Sequence, residues 1–278
     1  MGDVSTADLL AFALELADEA DRISMSFYRG DLGTTEKADG TLVTLADKAV
    51  EAHLRERITA RFPAHSILGE EEGYTPPAGN AGYAGGQGGA GEARWILDPI
   101  DGTHGFARGI PIWATLIACE RNGTIEVGVA SAPALGTRWW AGRSLRAWRA
   151  ASAVHDGAPE RIAVSSIATI EESQVLYGEH GLCLARWPQG FEPLLASAWR
   201  TRGFGDFWSH CLVAEGAAEV MLEGNISPWD IAALQVIVEE AGGHLTDGSG
   251  TRTIDAGYSV TSNAALHETL MRVLGTPN

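Results

Sequence analysis

Between about residues 6 and 28, apolar side chains recur at helical steps. Leu9, Leu10, Ala13, Leu16, Ala17, Ala20 and Ile23 share one face, and Gly30 closes the run, so the pattern predicts an amphipathic helix. A second helix is predicted over about 44–62, with Ala46, Val50, Leu54 and Ile58 on its apolar side and Pro63 as its stop. The period then changes. Residues 66–68 make a short strand that runs into Gly69-Glu70-Glu71-Glu72-Gly73. Apolar runs at 112–119 and 125–131, joined by Arg121-Asn122-Gly123, predict a hairpin. Further strands are expected at 138–141, 161–165, 218–222 and 259–261, and further helices at 191–199, 207–216, 227–241 and 264–274. The helix at 227–241 is the most clearly delimited. Ser227 suits the N-cap, Pro228 the first helical position, and Gly242-Gly243 end it. Antiparallel strand runs bounded by helices point to a layered α+β architecture, not a repeating βαβ. We divide the chain into an N-terminal α+β half, residues 1–140, and a C-terminal α/β half, residues 141–278.

Two stretches read as connections. Lys37-Ala38-Asp39-Gly40 is a turn. Residues 75–93 are rich in Gly, Pro and Ala, with six glycines from Gly82 to Gly91, and read as a loop that is a tolerated insertion or a lid. No Gly-Lys-Ser/Thr follows them, so they are not a nucleotide-binding P-loop.

Charge narrows the possible partners. Lys and Arg number 20 against 36 Asp and Glu, a formal net charge of −16, which argues against nucleic acid as the main partner. An acidic protein with an anionic substrate needs local positive charge, which a bound metal supplies. Cys119, Cys183 and Cys211 lie far apart in apolar surroundings and are expected to be buried thiols. Asp3, Asp8, Glu15 and Asp18 interrupt any signal-peptide core, and no apolar run reaches membrane-spanning length. A cytoplasmic protein is the expectation.

The chemistry concentrates in Trp95-Ile96-Leu97-Asp98-Pro99-Ile100-Asp101-Gly102-Thr103. The apolar run reads as a strand whose ordinary pairing ends at Pro99, followed by a tight turn at Gly102. The N–H groups of Gly102 and Thr103 then open a helix, a natural place for an anion. Two carboxylates on one rigid turn repel each other unless a cation lies between them, and Mg²⁺ takes oxygen ligands. Other acids stand in Glu70-Glu71-Glu72 and at Asp230. Each has a plainer reading: Asp98 and Asp101 as a polar turn, the Glu triplet as a solvated turn, Asp230 as the last residue of a Ser-x-x-Asp capping box, and Asp47 as an exposed helix acid. No GxSxG and no cysteine cluster signals a covalent nucleophile.

Taken in order, Gly69-Glu70-Glu71, Asp98-Pro99-Ile100-Asp101-Gly102-Thr103, Trp229-Asp230-Ile231-Ala232-Ala233 and Glu240-Ala241-Gly242-Gly243 resemble the inositol monophosphatase family from the first helix to the last. The resemblance implies a layered αβαβα sandwich of the inositol monophosphatase and fructose-1,6-bisphosphatase type. It also implies a Mg²⁺-dependent phosphomonoesterase holding two or three ions, commonly as a homodimer. By the same resemblance, Glu70, Asp98 and the Ile100 carbonyl bind one metal, and Asp98, Asp101 and Asp230 a second. A third, weaker metal uses Glu70. Thr103 and Asp47 act with Glu70 on the attacking water, and the Gly102 and Thr103 amides hold the phosphate.

Within the family the chain is most similar to actinobacterial-type histidinol-phosphatases, through Arg108–Ala118, Ser131–Leu135, Arg138–Ala141 and Gly205-Asp206-Phe207 onward. L-histidinol phosphate, and with it histidine biosynthesis, is the expected assignment, with myo-inositol 1-phosphate as the alternative. A non-catalytic interaction protein on the same fold is the alternative of another class. Asp206 would face a substrate ammonium or imidazole, or else cap a helix, and Glu223 matches the acid on the organic side. Asp101-Gly102-Thr103-His104-Gly105-Phe106 departs from the family's DGTxNF by lacking the Asn, and His104 reads as an exposed loop residue.

Overall fold

The computed structural model describes residues 4–30, 33, 35–36, 42–78, 93–152 and 158–277. The turn expected at 37–40 and the loop at 79–91 lie outside the described residues. Among the described residues there are eight α-helices: α1 Thr6–Phe27, α2 Leu45–Arg61, α3 Thr103–Ala107, α4 His180–Arg186, α5 Phe191–Ser197, α6 Asp206–Ala214, α7 Pro228–Glu240 and α8 His267–Leu274. The strands β1 Thr35–Glu36 and β2 Leu42–Val43 pair with each other. Next come β3 Ser66–Gly69, β4 Gly73–Thr75, β5 Ala93–Asp101, β6 Ala114–Arg121, β7 Thr124–Ala132, β8 Thr137–Gly142, β9 Arg146–Ala151 and β10 Glu160–Arg161. These form one eight-stranded sheet in the order β10-β9-β8-β7-β6-β5-β3-β4, antiparallel except for the β3/β5 pair. The strands β11 Gln174–Tyr177, β12 Arg200–Arg202, β13 Val220–Glu223, β14 Gly243–Thr246 and β15 Ser259–Asn263 form a mixed sheet in the order β12-β11-β13-β15-β14.

Strand alternation assigns the layers. In β5 and β6, Trp95, Leu97, Ile117 and Cys119 pack on α1 and α2, while Ile96, Leu116 and Ala118 pack on α6 and α7. In β13, Val220 and Leu222 meet α4, α5 and α8, and Met221 meets Val213 of α6. The order is therefore helix, sheet, helix, sheet, helix, with α6 and α7 buried between the two sheets. Each large aliphatic side chain buried in such a layer contributes roughly 1.5–3 kcal/mol relative to exposure. All three cysteines are buried and free.

Several expectations change. Pro99 does not end β5, which keeps pairing with β6 as far as Asp101 across a register shift. The strand expected at 161–165 is only the two-residue β10, paired on β9. The division between residues 140 and 141 falls inside β8, which is hydrogen-bonded to β7 and β9, and the large sheet continues to Arg161. The strands β9, β11, β12 and β14 and the helix α4 carry no clear periodic signal, being short segments of four to seven residues or fewer.

Candidate active site

The acids of β5 meet through a bulge. Residues three apart on a regular strand point to opposite faces. Between Asp98, opposite Leu116, and Asp101, opposite Ala114, β5 spends one residue more than β6, so both carboxylates reach the same side. The Pro99 carbonyl within the bulge accepts a hydrogen bond of 2.8 Å from Thr115 Oγ1, which keeps the irregular segment satisfied.

Immediately after Asp101 the chain turns at Gly102, with φ +84°, into α3. A Cβ there would stand 3.0 Å from the Ile112 carbonyl and 3.5 Å from Asp206 Oδ2, so glycine satisfies both the backbone and the space. The Thr103 hydroxyl donates to the Ile100 carbonyl at 2.9 Å and lies 3.5 Å from Asp47 Oδ1. Asp47 is fully buried, not exposed. Its Oδ2 accepts from the Thr44 N–H at 2.8 Å and the Thr44 hydroxyl at 2.6 Å, which caps α2 and fixes the carboxylate behind Thr103. Burial raises the Asp47 pKa, the Thr44 bonds oppose the rise, and Glu70 adds to it.

Two helix starts supply Asp230 and Asp206. Ser227 and Asp230 form the reciprocal capping box expected from sequence, with the Ser227 N–H donating to Asp230 Oδ2 at 2.7 Å. The capping reading and the site reading of Asp230 hold together, because the carboxylate has a second oxygen. Asp206 opens α6 at φ +53°, with Gly205 as the residue before the helix and no side-chain cap bond, so the capping alternative for Asp206 does not apply. The N–H of Phe207 instead donates to Asp101 Oδ2 at 2.7 Å. Glu223, at the end of β13, faces an inner chamber of about 100 Å³ that it shares with Asp101, Asp206, His210 and Asp230.

The outer cleft measures about 480 Å³. Glu70, Asp98, Asp101, Asp206 and Asp230 line it with Gly102 and Thr103, and no Lys or Arg stands among its lining residues. The electrostatics follow. Asp98 and Asp101 are driven well above the ordinary carboxylate range, first by burial, then by Glu70 for Asp98 and by Asp206 for Asp101. Burial pushes Asp230 up to about 7 and Asp206 up to about 6, with His104 opposing the rise in Asp206. Glu223 is raised in the same way, by burial and then by Asp206. One oxygen from each of Asp98, Asp101 and Asp230 can be chosen so that all three lie within 4.8 Å of one another, and Asp98 Oδ1 is buried with no hydrogen-bond partner. A hard divalent cation fits this all-oxygen set and would give Asp98 Oδ1 the partner that atom lacks.

The family profile described as "Inositol monophosphatase family" matches residues 5–276. The chain belongs to the inositol monophosphatase family. Similar relatives are the histidinol-phosphatase of Mycobacterium tuberculosis, 42% identical over 95% of this chain and 96% of that protein, and the histidinol-phosphatase of Streptomyces coelicolor, 38% identical over 96% and 97%. Among solved structures, the extragenic suppressor protein suhB from Bartonella henselae superposes with a TM-score of 0.81 at 25% identity, covering 96% of this chain and 98% of that one.

For a member of the inositol monophosphatase family, this chain also carries site features that no sequence signal singles out. Asn225 lines the cleft beside the motif residue Trp229, and His210 lines the inner chamber. His210 is held by Thr261 Oγ1 at 2.8 Å and pushed down to about 3 by burial, so it is a neutral wall in a chamber lined by four acids. In the sequence it is one histidine inside an apolar helix. His104 is exposed as expected, but it stands in the short helix α3 and lines the cleft.

Proposed function

We propose that this protein is a Mg²⁺-dependent phosphomonoesterase that hydrolyses L-histidinol phosphate to L-histidinol and phosphate, a step of histidine biosynthesis. The observation that carries the reading is a cleft lined by five carboxylates with no Lys or Arg among its lining residues and His104 as its one basic side chain. Such a cleft repels a phosphate ester unless cations intervene. The similarity to two histidinol-phosphatases supports histidinol phosphate as the ester.

Glu70, Asp98, Asp101, Asp230 and the Ile100 carbonyl would hold two or three ions. Bound there, Mg²⁺ supplies Lewis acidity toward water and toward the phosphate oxygens. The protein does the rest. Thr103 Oγ1, set between the Ile100 carbonyl and Asp47, orients the attacking water, and Asp47 and Glu70 form the acceptor side for its proton. Water oxygen bonds to phosphorus, the ester P–O bond breaks, and the departing alkoxide takes a proton. The amides of Gly102 and Thr103 steady the phosphate oxygens. No thiol competes as nucleophile, because Cys119, Cys183 and Cys211 are all raised above the ordinary thiol range by burial. On the organic side, Asp206 and Glu223 receive the ammonium and imidazole groups. A homodimer belongs to the same reading and is carried by the family resemblance, and a cytoplasmic location is proposed with it.

The test is kcat/KM on L-histidinol phosphate against myo-inositol 1-phosphate. Histidinol phosphate should be preferred, and Asp206→Asn should lower its value by about 10–100-fold, the loss of one charge-assisted contact, with a smaller effect on the inositol ester. Preference for the inositol ester would overturn the substrate, and an Asp206→Asn variant unchanged on both would overturn the role of Asp206.

A further inference from the structure

Glu70 sits on the turn between β3 and β4, and a charged pair from α2 holds that turn. Glu51 is fully buried. Its Oε2 accepts from the Glu71 N–H at 2.8 Å, and its Oε1 accepts from the Glu72 N–H at 2.9 Å and from Arg55 Nε at 2.8 Å. Arg55, also buried, donates to the Gly73 carbonyl at 2.6 Å and to Thr75 Oγ1 at 2.8 Å. On the other side, the Glu70 N–H donates to the Leu97 carbonyl of β5 at 3.2 Å. The backbone at Glu70 is thus fixed from both flanks, by β5 on one and by Glu51 on the other. Gly69 makes the approach possible, since a Cβ there would stand 2.4 Å from Glu51 Oε1 and 2.7 Å from an Arg55 guanidinium nitrogen.

The spacing explains how one helix does this. Asp47, Glu51 and Arg55 follow each other at steps of four, so they lie along one side of α2. The first stands behind Thr103, and the other two grip the turn that carries Glu70.

We infer that Glu51, paired with Arg55, is a positioning residue that fixes the Gly69–Gly73 turn and thereby sets the placement of the Glu70 carboxylate in the cleft, tuning metal affinity without touching metal or substrate. The inference rests on Glu70 being a metal ligand as proposed above. The carboxylate of Glu51 faces three donors. In Glu51→Gln one of its two oxygens becomes an NH₂ that must face a donor, so the turn loses a clamp while the volume of the side chain is kept.

The experiment is a calorimetric Mg²⁺ titration of the substrate-free protein, run on wild type, Glu70→Gln, Glu51→Gln and Arg55→Lys, with thermal unfolding of each. Groups that orient metal ligands from outside typically govern about 10–100-fold of affinity, and Glu51→Gln should weaken Mg²⁺ binding by about tenfold, toward the value of Glu70→Gln. In turnover, the Mg²⁺ concentration for half-maximal rate should rise by a similar factor while KM for the phosphate ester stays within about twofold, a split that general loosening of the fold does not produce. Arg55→Lys, which keeps the charge and loses the planar fork, should shift Mg²⁺ binding in the same direction by less, and carries the test should Glu51→Gln fail to fold. Weakened binding in Glu70→Gln with wild-type binding in Glu51→Gln or Arg55→Lys would overturn the positioning role alone. Absence of Mg²⁺ binding in the wild type would overturn the metal reading of Glu70 and the inference with it.

Discussion

Two acid clusters flank the large sheet, one built around buried Asp21 and the other around buried Asp98 and Asp101, and they differ in one component. On the α1 side, Asp18 and Asp21 face Arg138 of β8, whose guanidinium bonds them at 2.6 and 2.8 Å and donates to Ser131 Oγ at 2.9 Å. On the α7 side, Asp98, Asp101 and Asp230 converge with no Lys or Arg among the cleft-lining residues. An unpartnered oxygen is not the distinction, since Asp21 Oδ1 and Asp98 Oδ1 both lack a hydrogen bond. Nor is a raised pKa, since burial raises Asp21 as well, there opposed by Arg138. The distinction is the counter-charge. Where a chain supplies its own cation, a buried carboxylate serves the fold. Where it gathers several acids with no Lys or Arg beside them, the cluster has the character that the proposed function requires of a site for a cation from solution.

The comparison breaks most visibly at Asp98. Replacing it with Asn should lower phosphate release by at least about a thousandfold, ~4 kcal/mol at 1.36 kcal/mol per decade. The same change should raise the melting temperature of the metal-free protein, because it removes one of several mutually repelling buried charges. Near-normal turnover, or a lower metal-free melting temperature, would contradict the assignment. The opposite cluster should respond in the opposite way. Arg138→Met leaves Asp21 buried without its counter-charge and should cost roughly 3–5 kcal/mol of folding stability by chemical denaturation. Turnover per folded molecule should stay close to that of wild type, and a large loss there would tie Arg138 to the site.

A smaller effect sharpens the same contrast through pH. In the metal-free protein Asp230 stands at about 7 and Asp206 at about 6, against an ordinary value of 3.8. A carboxyl whose folded pKa lies above its unfolded value stabilises the folded state fully below the unfolded pKa, and that contribution is lost as pH rises through the folded pKa. The melting temperature of the metal-free protein should therefore fall between about pH 4 and pH 7, and saturating Mg²⁺ should remove most of that slope. An equal slope with and without Mg²⁺ would place its origin elsewhere, in groups such as Asp21.

The layers of the fold were legible where amphipathic periods ran long: α1, α2, α7 and the β6–β7 hairpin all follow from the spacing of their apolar residues. The five-stranded sheet was less so, because β11, β12 and β14 are three or four residues long and offer too few positions for a period to show. Pro99 misled for a specific reason. A proline ends regular pairing, but here it sits inside a bulge, and the bulge is what brings Asp98 and Asp101 to one side. Of the site, the β5 turn and the cap at Ser227 could be read from residues, while Glu70 and Asp230 joined it only through the family resemblance, since neither strand ends nor helix caps announce which other acids they will meet. Glu51 and Arg55 stayed hidden because a Glu and an Arg four apart on a helix look like a solvent-exposed pair until the β3–β4 turn is seen lying over them.

The most direct test of the central claim is phosphate release from L-histidinol phosphate by the purified protein, measured with Mg²⁺, after exhaustive chelation, and after Mg²⁺ is restored. The cluster without its own cation predicts turnover that disappears on chelation and returns in full with Mg²⁺. Turnover that persists in the chelated protein, or none under any of the three conditions, would contradict it.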